Sequence, residues 1–312
     1  MTIALRQFSA RLPIVRFLLL ILLLSACHSP SMVGTDVPTS ADVTETLLCN
    51  GAKELCDRRL NEVALPGSHN SMSNQDDGFL LPNQPHSMIR QLDDGIRGML
   101  FDVHPADDHV PDEPPGTAML CHGDCAFGHQ RLDTVLTQIR LWLEAHPHEI
   151  LMWVIEDYVP EEAITLALQT SQLLPLCLHH APNTPFPTLR ELIAQNKRVF
   201  IMRESGGGPA DWDHGYEDVM QDNPYSAETV ADFACNRLRG KAGNPLLNVN
   251  HFLTRGLTGH EGLAEEANHN PQLRDHVLKC QQQFGQIPNI VAVDWYTIGD
   301  LLAVVKELNG LP

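Results

Sequence analysis

The stretch Ile150-Leu151-Met152-Trp153-Val154-Ile155-Glu156-Asp157 decides the fold. Six apolar residues stand in a row, and two carboxylates follow at once. An apolar run this short, without polar alternation, reads as a strand buried on both faces, as in a parallel sheet. Comparable runs lie on either side of it, at 63–65, 98–103, 118–121, 198–202, 246–249 and 290–293, with a weaker one near Val219-Met220. Between the third run and the central one, Leu132, Val135, Leu136, Ile139 and Leu143 form a helical stripe. Helical patterns follow at 161–174, 188–194 and 298–308. No internal repeat is visible. Strand alternating with helix predicts a parallel α/β sheet. Seven or eight such strands in one domain, near the roughly 250 residues typical of the fold, predict a TIM (β/α)8 barrel.

The composition excludes several other classes. The chain has 312 residues, 43% hydrophobic and 19% charged, which rules out collagen-like, coiled-coil and wholly disordered readings. Its formal charge of -18 repels phosphate backbones, so nucleic acid is not an expected partner. The same charge argues against electrostatic adsorption to anionic lipid.

The N-terminus reads as an export signal. Arg6, Arg11 and Arg16 precede the apolar run from Phe17 to Leu24, which is too short to span a bilayer. The run ends in Leu24-Ser25-Ala26-Cys27, a tetrad that resembles the lipobox of bacterial lipoproteins. That resemblance implies a lipid on Cys27 as the first mature residue. His28 stands where an Asp would suggest inner-membrane retention, so the expected location is the cell envelope, at the outer membrane or cell surface, and otherwise secreted. The expected organisation is a lipoprotein signal peptide over 1–26, a flexible tether over 27–44 rich in Ser, Thr, Pro and Asp, and the barrel over 45–312. In an oxidising compartment Cys49 would pair with Cys56, Cys121 with Cys125, and Cys235 with Cys280, leaving Cys177 as a buried thiol. Sequence alone leaves other connectivities open.

Polar residues sit just past the strand ends: Gly67-Ser68-His69-Asn70-Ser71, Asp102-Val103-His104, His122-Gly123, Glu156-Asp157, Asn250-His251 and Asp294-Trp295-Tyr296. In a barrel these converge on one rim, where active sites lie. One such residue is ordinary, since an Asp there is often a helix cap; six together point to a site. Cys121-His122-Cys125 lacks the second pair of a zinc finger, so a disulfide is the better reading. Gly206-Gly207-Gly208 is not followed by Lys-Ser/Thr and is no phosphate loop. There is no Gly-x-Ser-x-Gly, so serine-hydrolase chemistry is unsupported.

These strand ends resemble the X domain of the phosphatidylinositol-specific phospholipase C family. Leu65-Pro66-Gly67-Ser68-His69-Asn70-Ser71 is similar to its first motif. Gly95-Ile96-Arg97 with Phe101-Asp102-Val103 is similar to its second. Cys121-His122-Gly123, followed by a helix and Pro147-His148-Glu149-Ile150, is similar to its third. The resemblance is strongest over 60–160 and looser through Asn250-His251-Phe252 and 292–296. It implies an irregular barrel of the phospholipase C-like phosphodiesterase type. It implies His69 as base and His122 as acid in cleaving an inositol phospholipid or related phosphodiester, because imidazole titrates near neutrality.

His104 stands where calcium-independent members carry an Arg. Asn70, Asp102 and Glu156 stand where the calcium-dependent branch has metal ligands, and all three are hard oxygen donors. The expected cofactor is therefore Ca2+, with Mg2+ as the alternative. Leu100 replaces an expected second acid, for which Asp157 or Asp294 could compensate. His104, Arg203, Asp294, Trp295 and Tyr296 are the expected substrate contacts; Arg203 and Glu204 suit an ion pair equally well. A monomer is expected. Two alternatives are a glycerophosphodiester-type phosphodiesterase, against which the absence of His-Arg-Gly and Glu-Asn-Thr signatures counts, and a non-catalytic head-group-binding lipoprotein, which Leu100 and His104 favour and the two histidines oppose.

Overall fold

The computed structural model describes residues 47–256 and 259–312. The expected signal peptide, Cys27 and the tether lie outside the described residues. The elements run β1 (Leu65–Ser68), α1 (Met88–Asp93), β2 (Gly98–Pro105), β3 (Ala118–Cys121), β4 (His129–Arg131), α2 (Leu132–Ala145), β5 (Leu151–Asp157), α3 (Glu161–Thr170), α4 (Leu189–Ala194), β6 (Val199–Arg203), β7 (His214–Gly215), α5 (Tyr216–Val219), β8 (Met220–Asp222), β9 (Leu246–Asn250), α6 (Glu261–Ala267), α7 (Gln272–Phe284), β10 (Ile290–Val293) and α8 (Leu301–Leu308).

Eight of these strands are parallel neighbours, in the order β7-β6-β5-β2-β1-β10-β9-β8. The last strand, β10, pairs with the first, so the sheet curls as a TIM-type barrel does. The order ends at β7 and β8, which are joined through the single turn of α5 rather than by ladder bonds. The barrel is therefore irregular and open at that seam. The alternate residues of each strand separate into two cores. Met99, Phe101, Trp153, Ile155, Val199 and Ile201 face outward and pack with Val135, Leu136 and Ile139 of α2. Leu100, Met152, Val154, Phe200, Met202 and Ile290 fill the interior. This alternation aims the next residue of the same parity on each strand into the lumen.

Three expectations need correction. The run at 118–121 is not a stave of the barrel: β3 pairs antiparallel with β2, Val103 opposite Leu120, and carries β4 with it. Apolar content cannot distinguish strand direction. The eighth parallel strand is instead the two-residue β7. The first strand does not coincide with the apolar run at 63–65: it begins at Leu65 and continues through Pro66-Gly67 to Ser68. Gly67 is required because the Ile290 side chain lies 2.5 Å from where its Cβ would stand. The helix expected over 161–174 stops at Thr170, before Gln172 turns left-handed at φ 60°. The disulfides Cys49–Cys56, Cys121–Cys125 and Cys235–Cys280 are all present, and Cys177 is a buried free thiol.

Candidate active site

Strand register builds the first half of the site. Asp102 on β2 stands opposite Glu156 on β5. Ile155 stands opposite Arg203 on β6, so Glu204 falls level with Glu156 one residue on. All three acids share the parity of the interior residues. They form a row of carboxylates at the rim of a cavity of about 650 Å³. Asp102 is 6% exposed. Burial, then Glu156 and Glu204, push its carboxyl well above the ordinary range. Glu204 is raised too, by burial first, although Arg239 opposes the shift.

The same register logic places the first histidine. Ser68 of β1 pairs with Val293 of β10, so His69 and Asp294 are neighbours past the strand ends. His69 Nδ1 lies 2.8 Å from Asp294 Oδ1. A carboxylate accepts, so Nδ1 carries the proton and Nε2 is the free base. The ring stacks on Phe252 with centroids 3.7 Å apart. Asn83 Nδ2 donates to the other Asp294 oxygen at 3.1 Å. Asn70 and Trp295, beside this pair, both have positive φ, at 45° and 49°. Asn tolerates that region, whereas a Trp there is strained, a pattern that clusters at functional sites.

The second histidine arrives by the antiparallel return of β3. That strand runs back along β2 from Pro105 toward Val103, and His122 follows it to the rim. Its Nε2 accepts from Asn70 Nδ2 at 3.1 Å. Burial, and then His69, hold its pKa below the usual histidine value. The Cys121–Cys125 disulfide and the Asp124 cap, which accepts from Ala126 N at 2.8 Å, fix the loop around it. His69, Asn70, Asp102, His122 and Glu156 thus line one cavity.

A family profile described as PI-PLC X 1 matches residues 55–309. The chain belongs to the PI-PLC X family. Among its relatives, "PI-PLC X domain-containing protein 1" of Arthroderma benhamiae is 28% identical, covering 88% of this chain and 92% of that one. An uncharacterized secreted protein of the same organism is 25% identical, covering 91% and 69%. A variant of the phosphatidylinositol-specific phospholipase C of Staphylococcus aureus superposes with a TM-score of 0.58 at 15% identity, covering 82% of this chain and 94% of that one. This likeness shows the fold, an α/β barrel of the TIM type. The secreted relative and the disulfides accord with an extracellular location.

The remaining expected residues of this PI-PLC X chain lie outside the cavity lining. Arg203 is buried, its guanidinium bonded to Asp213 at 2.7 Å and Asp157 at 2.5 Å. Arg203 is thus in an ion pair, but with Asp213 and Asp157 rather than with Glu204, and this makes Asp157 unavailable as a ligand. Asp294 is likewise committed, to His69 and Asn83. His104 stacks on Tyr158 at 4.2 Å, and Tyr158 donates to Glu156. Tyr296 donates to Asp94 at 2.7 Å, and Trp295 is buried. A further carboxylate in the cavity lining comes from Glu204, which is paired with Arg239. Arg239, which no motif flagged, also lines the cavity. Asp222 holds it at 2.6 Å, Glu204 pairs with it, and Tyr216 and Tyr225 flank it at 4.7 and 4.9 Å.

Proposed function

We propose that the protein is a phosphodiesterase of the phosphatidylinositol-specific phospholipase C type, acting on inositol phospholipids or related phosphodiesters with a divalent cation, Ca2+. The carrying observation is one cavity lined by two histidines and a row of carboxylates. Among the described lining residues, four acids, Asp102, Glu156, Glu204 and Glu228, face one cation, Arg239. That imbalance, and the desolvated Asp102, fit a hard cation held by Asn70, Asp102 and Glu156. When bound, Ca2+ supplies positive charge to the phosphate oxygens.

The chain's own residues divide the remaining work. His69 Nε2 takes the proton from the hydroxyl adjoining the phosphate, and Asp294 stabilises the resulting imidazolium. His122 gives a proton to the departing alcohol. Beside His122 a second cavity of about 170 Å³ is lined by Phe79, Leu81 and Phe127, with Ser73 and Asp124. Its apolar side chains suit a lipid leaving group. Glu204, Arg239 and Asn250 offer polar partners to a polyol head group. A lipid on Cys27 would tether the domain to the cell envelope.

The test is turnover of phosphatidylinositol by folded His69→Ala and His122→Ala variants. Each should lose about 10²–10⁴-fold. A general acid works only when protonated, so wild-type turnover should fall as pH rises through the depressed His122 pKa. The optimum should lie on the acid side of neutrality. Near-normal turnover in either variant, or a rate still climbing above neutral pH, contradicts the assignment.

A further inference from the structure

A second constellation lies behind the end of β9, independent of the proposed reaction. His251, His276, Cys235 and Cys280 are all buried, none more than 5% exposed. His276 and Cys280 are four residues apart on α7 and share one face. Cys235 comes from the segment before β9 and is joined to Cys280. Among the described residues, Cys235, His276 and Cys280 are the only group of three His, Cys, Asp or Glu whose ligand atoms all lie within 4.8 Å of one another.

Hydrogen bonding fixes the protons on the two imidazoles. His251 Nε2 is 3.0 Å from the Ala267 carbonyl oxygen, which can only accept, so Nε2 carries hydrogen. Burial pushes His251 down to about 3 and His276 to about 4, so both rings are neutral at pH 7. His251 Nδ1 is then a bare acceptor. His276 Nδ1, 2.8 Å away, is the donor. The Nε2 lone pair of His276 is left facing Cys280 Sγ at 3.3 Å and the Ala234 carbonyl at 3.5 Å. Neither offers a proton while the disulfide stands. Phe233 stacks on both rings, at 4.2 and 4.6 Å, and holds them in place.

We propose that Cys235, Cys280 and Nε2 of His276 form a zinc site once the disulfide between the two cysteines is reduced. Two thiol equivalents supply the two electrons that break the S–S bond and are themselves joined as a disulfide. The cysteines take up two protons, and Zn2+ displaces both to solvent on binding the thiolates. Two thiolates and an imidazole are the soft and borderline donors that zinc prefers. Ligands at zinc bond lengths stand about 3.4–3.8 Å apart in a tetrahedron, so the imidazole is already near its place. Only the sulfurs must part. Water completes the fourth position. His251 is the outer partner that fixes the tautomer of the ligand, as such partners commonly do.

The experiment uses the full chain, reduced under argon, freed of reductant and titrated with Co2+ and then Zn2+. Reduced wild type should bind one equivalent of Co2+ with thiolate-to-cobalt absorption that Zn2+ abolishes, while the oxidised protein shows none. Cys121→Ser/Cys125→Ser should retain the band, and Cys235→Ser/Cys280→Ser should lose it. His276→Gln keeps both cysteines and decides the matter should the double serine variant not fold; its band should be lost. His251→Phe should weaken binding about 10–100-fold. No band in reduced wild type, a band persisting at full strength in His276→Gln or in a folded Cys235→Ser/Cys280→Ser variant, or unfolding of the reduced protein at saturating zinc overturns the proposal.

Discussion

Asp102 carries the largest electrostatic burden in the cavity. Its carboxyl is buried beside Glu156 and Glu204, and the neutral form is favoured. The folded state therefore keeps this proton to higher pH than the unfolded chain does. The metal-free protein loses stability as pH rises from the ordinary carboxyl range through the raised pKa. An Asn of the same shape removes that penalty. Asp102→Asn should stabilise the metal-free protein by about 1–2 kcal/mol, a common gain when a functional site is relieved. It should also abolish the further stabilisation given by Ca2+. Urea unfolding with and without calcium measures both. A variant less stable than wild type, or one still stabilised by calcium, would show that Asp102 is not the cation's ligand.

The hairpin β3–β4 is the element on which the proposed acid–base pair depends, since it returns His122 to the rim. The Cys121–Cys125 bridge closes a loop of only a few residues, worth about 2 kcal/mol by loop entropy. Its removal in Cys121→Ala/Cys125→Ala should cost about that much stability and also lower turnover per folded molecule, by about 10-fold or more, because His122 loses its fixed place. A loss of melting temperature with no loss of rate per folded molecule would make the bridge merely structural. How legible each element was follows from the length of its apolar run. β2 and β5 are buried on both faces and announce themselves as apolar runs. β7, His214–Gly215, has no apolar run to announce it. Direction is invisible to pattern, so β3 reads as a stave. His69, His122, Asp102 and Glu156 were readable because motifs carry them. Arg239 was not, because only long-range pairing with Asp222 and Glu204 brings it to the cavity. Asp294 reads as a strand-end acid, but its bond to His69 follows from the β1–β10 register, which no local pattern contains.

At the scale of the whole molecule, a chain of formal charge -18 is poorly suited to hold an anionic bilayer by its surface. Among the described residues no helix is long and apolar enough to cross a membrane. The anchorage proposed above rests on Cys27, so a Cys27→Ala variant should leave the membrane fraction while wild type stays in it. A mature wild-type chain whose intact mass lacks acyl groups would replace anchorage with free secretion. In the function proposed above, the carboxylate row at the barrel rim serves phosphodiester cleavage by holding a cation. The direct measurement is turnover of phosphatidylinositol by the purified protein before chelation, after it, and after calcium is restored. Activity should disappear with the chelator and return with Ca2+. Full activity in the chelated protein would contradict it.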